Sequence, residues 1–266
     1  MAEARTLGLR PSEHMSCVFR GFKCSLEWEI LLLALKMIQS SFIILPGISS
    51  GKEKLIHEQG IKTWDDFVKV ESIKGISKKR KIIFNHLLIE AKKKLFKDDL
   101  SFFKSKETWR LFDFYKDECC YLDIEGDVNI IGLFDGYETK TLVQGINLDY
   151  NLLHKELSKY KILITFNGSS YDLPKLNNFF QKFPKIIHID LKGLCSKVGL
   201  KGGLKKIEKQ LNLKRPEYLY GSPADIWRAW KASGNREYLE KLVEYNEEDV
   251  INLKPIMEYC NMKLKK

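Results

Sequence analysis

Residues 119–144 read CCYLDIEGDVNIIGLFDGYETKTLVQ, and this stretch decides the fold class of the second half of the chain. Three short runs rich in β-branched and aromatic residues lie at 119–124, 128–134 and 138–144. Gly-Asp and Asp-Gly pairs, which are typical of tight turns, separate them. We therefore predict an antiparallel meander of three strands.

The residues after the meander alternate between helix and strand patterns. The elements predicted next are a helix at 150–160, a strand at 162–166, a helix at 173–183 and a strand at 186–189. Helices dominate the remainder, where Ser222 and Pro223 begin one helix and another covers 236–262. The whole pattern predicts an α/β domain over residues 107–266.

Carboxylates occupy the ends of several predicted elements. Asp123 and Glu125 end the first strand on one face, and Asp172 begins the helix after the fourth strand, where open α/β sheets place ligands. Tyr245 and Asp249 lie one turn apart on the last helix. Each motif is common by itself, but the three in this order indicate a metal site. Oxygen ligands select hard cations, and two Mg²⁺ or Mn²⁺ ions can support phosphodiester hydrolysis.

The charge of the chain is unevenly distributed. Its 266 residues carry 45 Lys and Arg against 35 Asp and Glu, a formal net charge of +10. Residues 74–106 and 192–215 are the most basic stretches, with net charges of +8 and +7. Such stretches favour an anionic partner, nucleic acid before a membrane surface. For 192–215 we favour a phosphate cradle over a solvated helix face.

Residues 43–97 contain an internal repeat, and we predict a helical domain over residues 43–106. Leu-Pro-Gly-Ile-Ser at 45–49 and Ile-Lys-Gly-Ile-Ser at 73–77 each precede a helical pattern. Gly47 and Gly75 allow a phosphate to approach the backbone near a helix N-terminus. The repeat resembles a tandem helix-hairpin-helix module, which holds phosphates without reading sequence. A compact helical cap on the next domain is the equally open alternative.

The carboxylate set with Tyr245 resembles the DEDDy branch of the DnaQ-like 3′→5′ exonuclease superfamily. The sequences HIDL at 188–191 and GGLK at 202–205, with the helix at 245–253, are similar to the YprB-like group of that superfamily. Glu244 stands where the histidine-bearing branch carries its histidine. The resemblance covers about residues 42–260. It implies a ribonuclease-H-like mixed five-stranded sheet flanked by helices, after a small all-α helix-hairpin-helix-like domain.

The resemblance also implies roles for single residues. Asp123 would bridge two Mg²⁺ or Mn²⁺ ions, Glu125 and Asp249 would complete the nucleophile-side site, and Asp172 would hold the second ion. Tyr245 would orient or deprotonate the attacking water. The residues expected to contact nucleic acid are Asn167, Lys201, Lys205, Lys206, Gly47, Gly75, Lys78 and Lys79. We interpret Asp190 as a strand-end cap.

The expected activity is 3′→5′ hydrolysis of single-stranded or frayed nucleic acid, with single-stranded DNA favoured over RNA. Two alternatives stay open: a structure-specific endonuclease of the same fold, and a catalytically inactive nucleic-acid-binding protein. The chain has neither a signal-peptide pattern nor an unbroken apolar stretch of bilayer length. We expect no membrane partner and a cytoplasmic location, with residues 1–42 left as an unassigned leader.

Overall fold

The computed structural model describes residues 38–97, 99–103, 107–216 and 222–265. They fall into two compact units that divide between Phe114 and Tyr115. The leader predicted at 1–42 lies almost entirely outside the described residues. Within the described part of the chain, no helix has both the length and the apolar content that crossing a bilayer requires.

The first unit is helical, and hydroxyl side chains cap the three α-helices whose starts the structure describes. The helices are α1 (Ser50–Glu58), α2 (Trp64–Lys69) and α3 (Lys78–Phe96), followed by 3₁₀ turns at Leu100–Phe103 and Thr108–Leu111. Ser49 and Ser77 accept hydrogen bonds from backbone N–H groups in the first turns of α1 and α3. Thr63 forms a reciprocal capping box with Asp66 at the start of α2.

Aromatic side chains form the core of the first unit. The ring of Phe67 lies 5.3 Å from that of Phe42 and 6.4 Å from that of Phe84, centroid to centroid. The buried Trp64 indole donates from Nε1 to the Ser41 carbonyl at 2.7 Å. This packing fixes α2 between α3 and the segment that precedes α1.

The two copies of the repeat adopt the same local structure. In each turn an isoleucine N–H donates to the carbonyl three residues earlier, at 3.2 Å for Ile48 and 3.0 Å for Ile76. Gly47 and Gly75 occupy the third turn position with φ of +71° and +88°, where glycine is favoured. Each copy is therefore a glycine turn, a capping serine and a helix.

The second unit is built on a mixed five-stranded sheet, as the sequence predicts. The strands are β1 (Cys119–Glu125), β2 (Ile130–Phe134), β3 (Thr139–Val143), β4 (Ile162–Thr165) and β5 (Ile187–Asp190), in the order β3-β2-β1-β4-β5. The predicted meander is confirmed, because β1, β2 and β3 pair antiparallel. Strands β4 and β5 run parallel to β1, so the carboxyl ends of all three lie at one edge.

The predicted strand boundaries differ from the observed ones by at most one residue, except at the start of β2, where the difference is two. Residue Val128 was expected in the second strand but has a φ of +63°, and β2 begins only at Ile130. Gly126 also has a positive φ, of +64°, and Asn129 N–H donates to the Glu125 carbonyl at 2.9 Å. The turn between β1 and β2 therefore includes Val128, which composition alone assigns to a strand.

Helices cover both faces of the sheet. They are α4 (Tyr150–Leu157), α5 (Asp172–Phe180), α6 (Leu191–Lys197), α7 (Leu204–Gln210), α8 (Pro223–Ser233) and α9 (Arg236–Leu264). Leu153 of α4 and Leu176 of α5 pack with Leu122 on one face. On the other face, Leu242 of α9 packs against Ile130, with the side chains of α8 beside it. This second face carries the polar site.

Candidate active site

Strand β1 and helix α9 bring the acidic residues together. Side chains alternate along a strand, and Ile124 faces the apolar core below α4 and α5. Asp123 and Glu125 therefore point toward the face that α9 covers. Tyr245 and Asp249 are buried on that helix, one turn apart.

Three carboxylates converge on a single point. Ligand oxygens of Asp123, Glu125 and Asp249 all lie within 4.8 Å of one another. Asp172, at the start of α5, is buried, and its Oδ1 accepts from the Ile124 backbone N–H at 3.3 Å. The structure thus gathers three of the predicted carboxylates into a cluster and places the fourth against the same strand.

A glycine allows α9 to come this close to the sheet. Gly132 of β2 pairs with Asp123 of β1. A Cβ atom on Gly132 would lie 2.2 Å from Oδ1 of Asn246, so any side chain there would force the Asn246 amide out of its position. In the space so created, Asn246 Nδ2 donates to Oδ2 of Asp123 at 3.0 Å. Asn246 thereby fixes the orientation of the carboxylate at the centre of the cluster.

An arginine also enters the site. The Arg215 side chain is buried and donates from Nη2 to Oδ1 of Asp249. The same guanidinium forms two hydrogen bonds with Glu208, from Nη2 at 2.8 Å and from Nε at 3.2 Å. Asn252 of α9 supports Glu208 by donating to its Oε1 at 3.1 Å. One ligand of the cluster therefore has a cation as a direct neighbour.

Two cations flank Tyr245. Lys205 Nζ lies 3.7 Å from the centroid of the Tyr245 ring, and the Arg215 guanidinium carbon lies 5.2 Å from it. Lys205 is partly buried, and burial lowers the pKa of its ammonium group. The aromatic ring sits against positive charge on the side of the site where α7 begins.

Burial makes this site costly to charge. It raises the pKa of Glu125 to about 8, and the negative charge of Asp249 adds to the effect. Burial likewise raises the pKa of Asp123 well above its ordinary value. Asp172 and Asp249 have pKa values of about 6, raised by burial and, for Asp249, opposed by the neighbouring Arg215 and Lys205.

These features suit a divalent cation. Four carboxylates lie near one strand end, with Asp172 and Asp249 buried and Asp123 and Glu125 half-buried. They repel each other, and a cation among them would relieve that repulsion. Their donor set is oxygen only, which hard ions such as Mg²⁺ and Mn²⁺ prefer. Asp123, Glu125 and Asp249 are the residues whose positions allow joint ligation.

The residues predicted to bind nucleic acid are spread over both units. Lys205 lies in the site, whereas Lys201 and Lys206 are exposed near the start of α7. Asn167 has a φ of +66° and accepts a hydrogen bond from Lys192 at 3.1 Å. Gly47, Gly75, Lys78 and Lys79 belong to the turns and helix α3 of the first unit.

Asp190 has the capping role that its strand-end position suggests. Its carboxylate accepts from the backbone N–H of Lys192, at 3.1 Å, at the start of α6. It also accepts from the N–H groups of Asn167, at 2.8 Å, and Ser169, at 3.1 Å. Asp190 therefore orders the loop after β4 from the neighbouring strand.

Sequence reasoning missed four residues of the site: Arg215, Glu208, Asn246 and Asn252. Asn246 adjoins Tyr245, and a glycine inside β2 is the one signal that a bulky group approaches there. Arg215 was counted only as part of a basic stretch. Its inward orientation depends on tertiary contacts with α7 and α9 that no local pattern contains.

We predict that stability falls with rising pH when divalent ions are removed. The folded-state pKa of Glu125, about 8, lies above its ordinary value of 4.5, so the folded protein binds more protons than the unfolded chain between those values. Stability present at low pH is therefore lost as pH rises through the folded-state pKa. Asp172 and Asp249, with pKa values of about 6, act in the same direction.

Urea unfolding in EDTA, at intervals from about pH 5 to about pH 9, measures this dependence. The free energy of unfolding of the Glu125→Gln protein should decline less steeply with pH, because the substituted side chain cannot ionise. A decline as steep as that of the wild type would contradict the placement of Glu125 in the buried cluster.

Comparison with known proteins agrees with this arrangement. No curated protein and no solved structure matches the chain. Residues 120–261 match the family model of the RNase_H superfamily. This range includes the whole sheet except Cys119, the first residue of β1, and every residue of the carboxylate site. The match spans more than half of the chain. The chain belongs to the RNase_H superfamily.

Proposed function

We propose that the second unit is a 3′→5′ exonuclease that hydrolyses phosphodiester bonds in single-stranded or frayed nucleic acid. The observation that carries the proposal is the convergence of Asp123, Glu125 and Asp249 within 4.8 Å in a superfamily of nucleases. A largely enclosed acidic cluster in a basic protein has little structural benefit, because it raises the free-energy cost of folding at neutral pH. It is well suited to holding cations.

Each residue has a proposed role. Asp123, Glu125, Asp249 and Asp172 would hold two Mg²⁺ or Mn²⁺ ions. Bound divalent ions supply the acidification of an attacking water and the stabilisation of the leaving oxygen's charge. Tyr245 would orient that water or accept its proton, and Asn246 keeps Asp123 in position through its 3.0 Å hydrogen bond.

The surroundings of the cluster favour a polyanionic substrate. Lys205 beside Tyr245 supplies positive charge in the site, and Lys201 and Lys206 extend it over the exposed start of α7. A single strand needs little distortion to reach a largely enclosed centre. Between the two kinds of nucleic acid, we favour DNA over RNA. The polarity and the preference for single strands rest on the DEDDy resemblance.

We also propose that the first unit holds the nucleic-acid backbone. Each of its two repeats joins a positive-φ glycine to a serine-capped helix. Lys78 and Lys79 are exposed in the first turn of α3. Backbone N–H groups and two ammonium groups at a helix start suit a phosphate without reading its base.

The activity test follows end-labelled DNA and RNA in Mg²⁺ or Mn²⁺. We predict that Asp123→Asn and Asp249→Asn each lower the rate by about a hundredfold or more. Mutating residues that only support the metal ligands already lowers metal affinity or activity by about 10–100-fold, and a lost ligand should have a larger effect. Asp127→Asn is the matched control, since the Asp127 side chain is 95% exposed and paired with Lys175. Circular substrate separates the two modes of cleavage, since cutting it would contradict exonuclease action.

A second prediction concerns Tyr245. The Tyr245→Phe protein should lose about a hundredfold in rate, within the range of a general acid–base group. Its Mn²⁺ affinity should stay close to that of the wild type, because the carboxylates remain. Tyr238→Phe, an exposed tyrosine on the same helix, is the control. Equal rates for the two variants would remove Tyr245 from the mechanism.

A third prediction concerns the first unit. The Lys78→Ala, Lys79→Ala double variant should bind single-stranded DNA more weakly and reduce the slope of log K against log[salt] by about 0.7 for each lost contact. Fluorescence anisotropy at several salt concentrations in EDTA measures this. Lys93 and Lys97 are exposed at the other end of α3 and provide a control with the same change in charge. An identical slope in both double variants would favour the helical-cap interpretation.

A further inference from the structure

Arg215 is the most deeply enclosed cation of the candidate site. Its side chain is 2% exposed, and its two acidic partners, Glu208 and Asp249, are 3% and 8% exposed. An arginine attracted to an acidic surface from solvent would keep part of its guanidinium in water. Arg215 is instead part of the interior of the second unit.

The contacts of Arg215 hold it in one orientation. Nε and Nη2 form a fork on the Glu208 carboxylate, and Asn252 fixes that carboxylate from α9. Moving Arg215 away would leave Glu208 charged, buried and without its cation, which is strongly unfavourable. The guanidinium is therefore a fixed part of the site.

The fixed guanidinium takes one oxygen of Asp249. Nη2 donates to Oδ1, and the carboxylate has a second oxygen that this hydrogen bond does not use. Asp249 also belongs to the three-carboxylate cluster with Asp123 and Glu125. A cation at the cluster would share Asp249 with Arg215 and be repelled by it.

We propose that Arg215 is a permanent counter-ion and positioning residue of Asp249: it keeps Oδ1, leaves Oδ2 to a divalent ion, and weakens the binding of that ion. The inference rests on the proposed function, because it presupposes that a divalent ion binds the cluster. It adds a residue outside the predicted ligand set. The proposal also explains why an arginine is buried beside these carboxylates: it neutralises part of their charge, and a bound metal neutralises the rest.

The sign of the effect distinguishes this role from mere support. Removing one positive charge within a few ångströms of a divalent ion strengthens binding about tenfold, even at a dielectric constant near that of water. A residue that only supported the fold would, once removed, leave affinity unchanged or weaken it.

The experiment is a Mn²⁺ titration followed by the EPR signal of the free ion, without nucleic acid and at fixed pH and ionic strength. Arg215→Gln should bind Mn²⁺ about tenfold more tightly than the wild type. The double variant Arg215→Gln, Glu208→Gln does not leave Glu208 charged without its cation. Because it also removes the negative charge of Glu208, its reference is Glu208→Gln alone, and it should bind Mn²⁺ about tenfold more tightly than that variant. Arg215→Lys, which retains the charge, should stay within about threefold of the wild type. Arg228→Gln removes an exposed arginine, paired with Asp225 on α8, and should change nothing.

The outcomes separate the two proposals. If the loss of Arg215 leaves Mn²⁺ binding unchanged or weaker, both in the wild-type protein and in the Glu208→Gln protein, the role of Arg215 is overturned while the metal site stays intact. Wild-type protein whose Mn²⁺ binding is absent, or is unaffected by Asp249→Asn, would instead contradict the metal-dependent function itself. Circular dichroism of each variant identifies those that fold. If Arg215→Gln alone does not fold, the comparison of the double variant with Glu208→Gln decides the question.

Discussion

The close approach of α9 to strands β1 and β2 is the constraint on which the rest of the site depends. It requires Gly132, because a side chain there would occupy the place of the Asn246 amide. With that space open, Asn246 reaches Asp123, and Asp249 arrives one turn further along the same helix. The acidic centre is therefore a product of helix–sheet packing, and its geometry is as rigid as the core beside it.

The same packing creates an electrostatic problem. Burial raises the pKa values of Glu125, Asp172 and Asp249, and a neighbouring carboxylate adds to the effect in each case. The positive charges of Arg215 and Lys205 offset part of the negative charge of the site, mostly that of Asp249. For Asp123 and Glu125 the offset is smaller, and their pKa values stay well above the ordinary ones. A site with residual negative charge is one that gains stability from a bound cation.

The sequence predicts the architecture well where local chemistry decides it. Turn pairs delimit the meander, and Pro223 begins α8, as the structure has them. The positive φ of Val128 lies beyond such reasoning, because it follows from the geometry of the turn after β1. Arg215 is a stronger case, since its inward direction depends on Glu208 and Asn252, residues of two different helices.

The position of Arg215 changes the meaning of the basic stretch at 192–215. From the sequence alone, the net charge of +7 indicates a continuous basic surface that could bind phosphates. In the structure the stretch divides: Lys201 and Lys206 are exposed, while Lys205 and Arg215 turn toward Tyr245 and the carboxylates. A cation bonded to Asp249 cannot also be free for a substrate. The charge available to nucleic acid is therefore smaller than the count suggests, and the inward share stabilises the acidic centre.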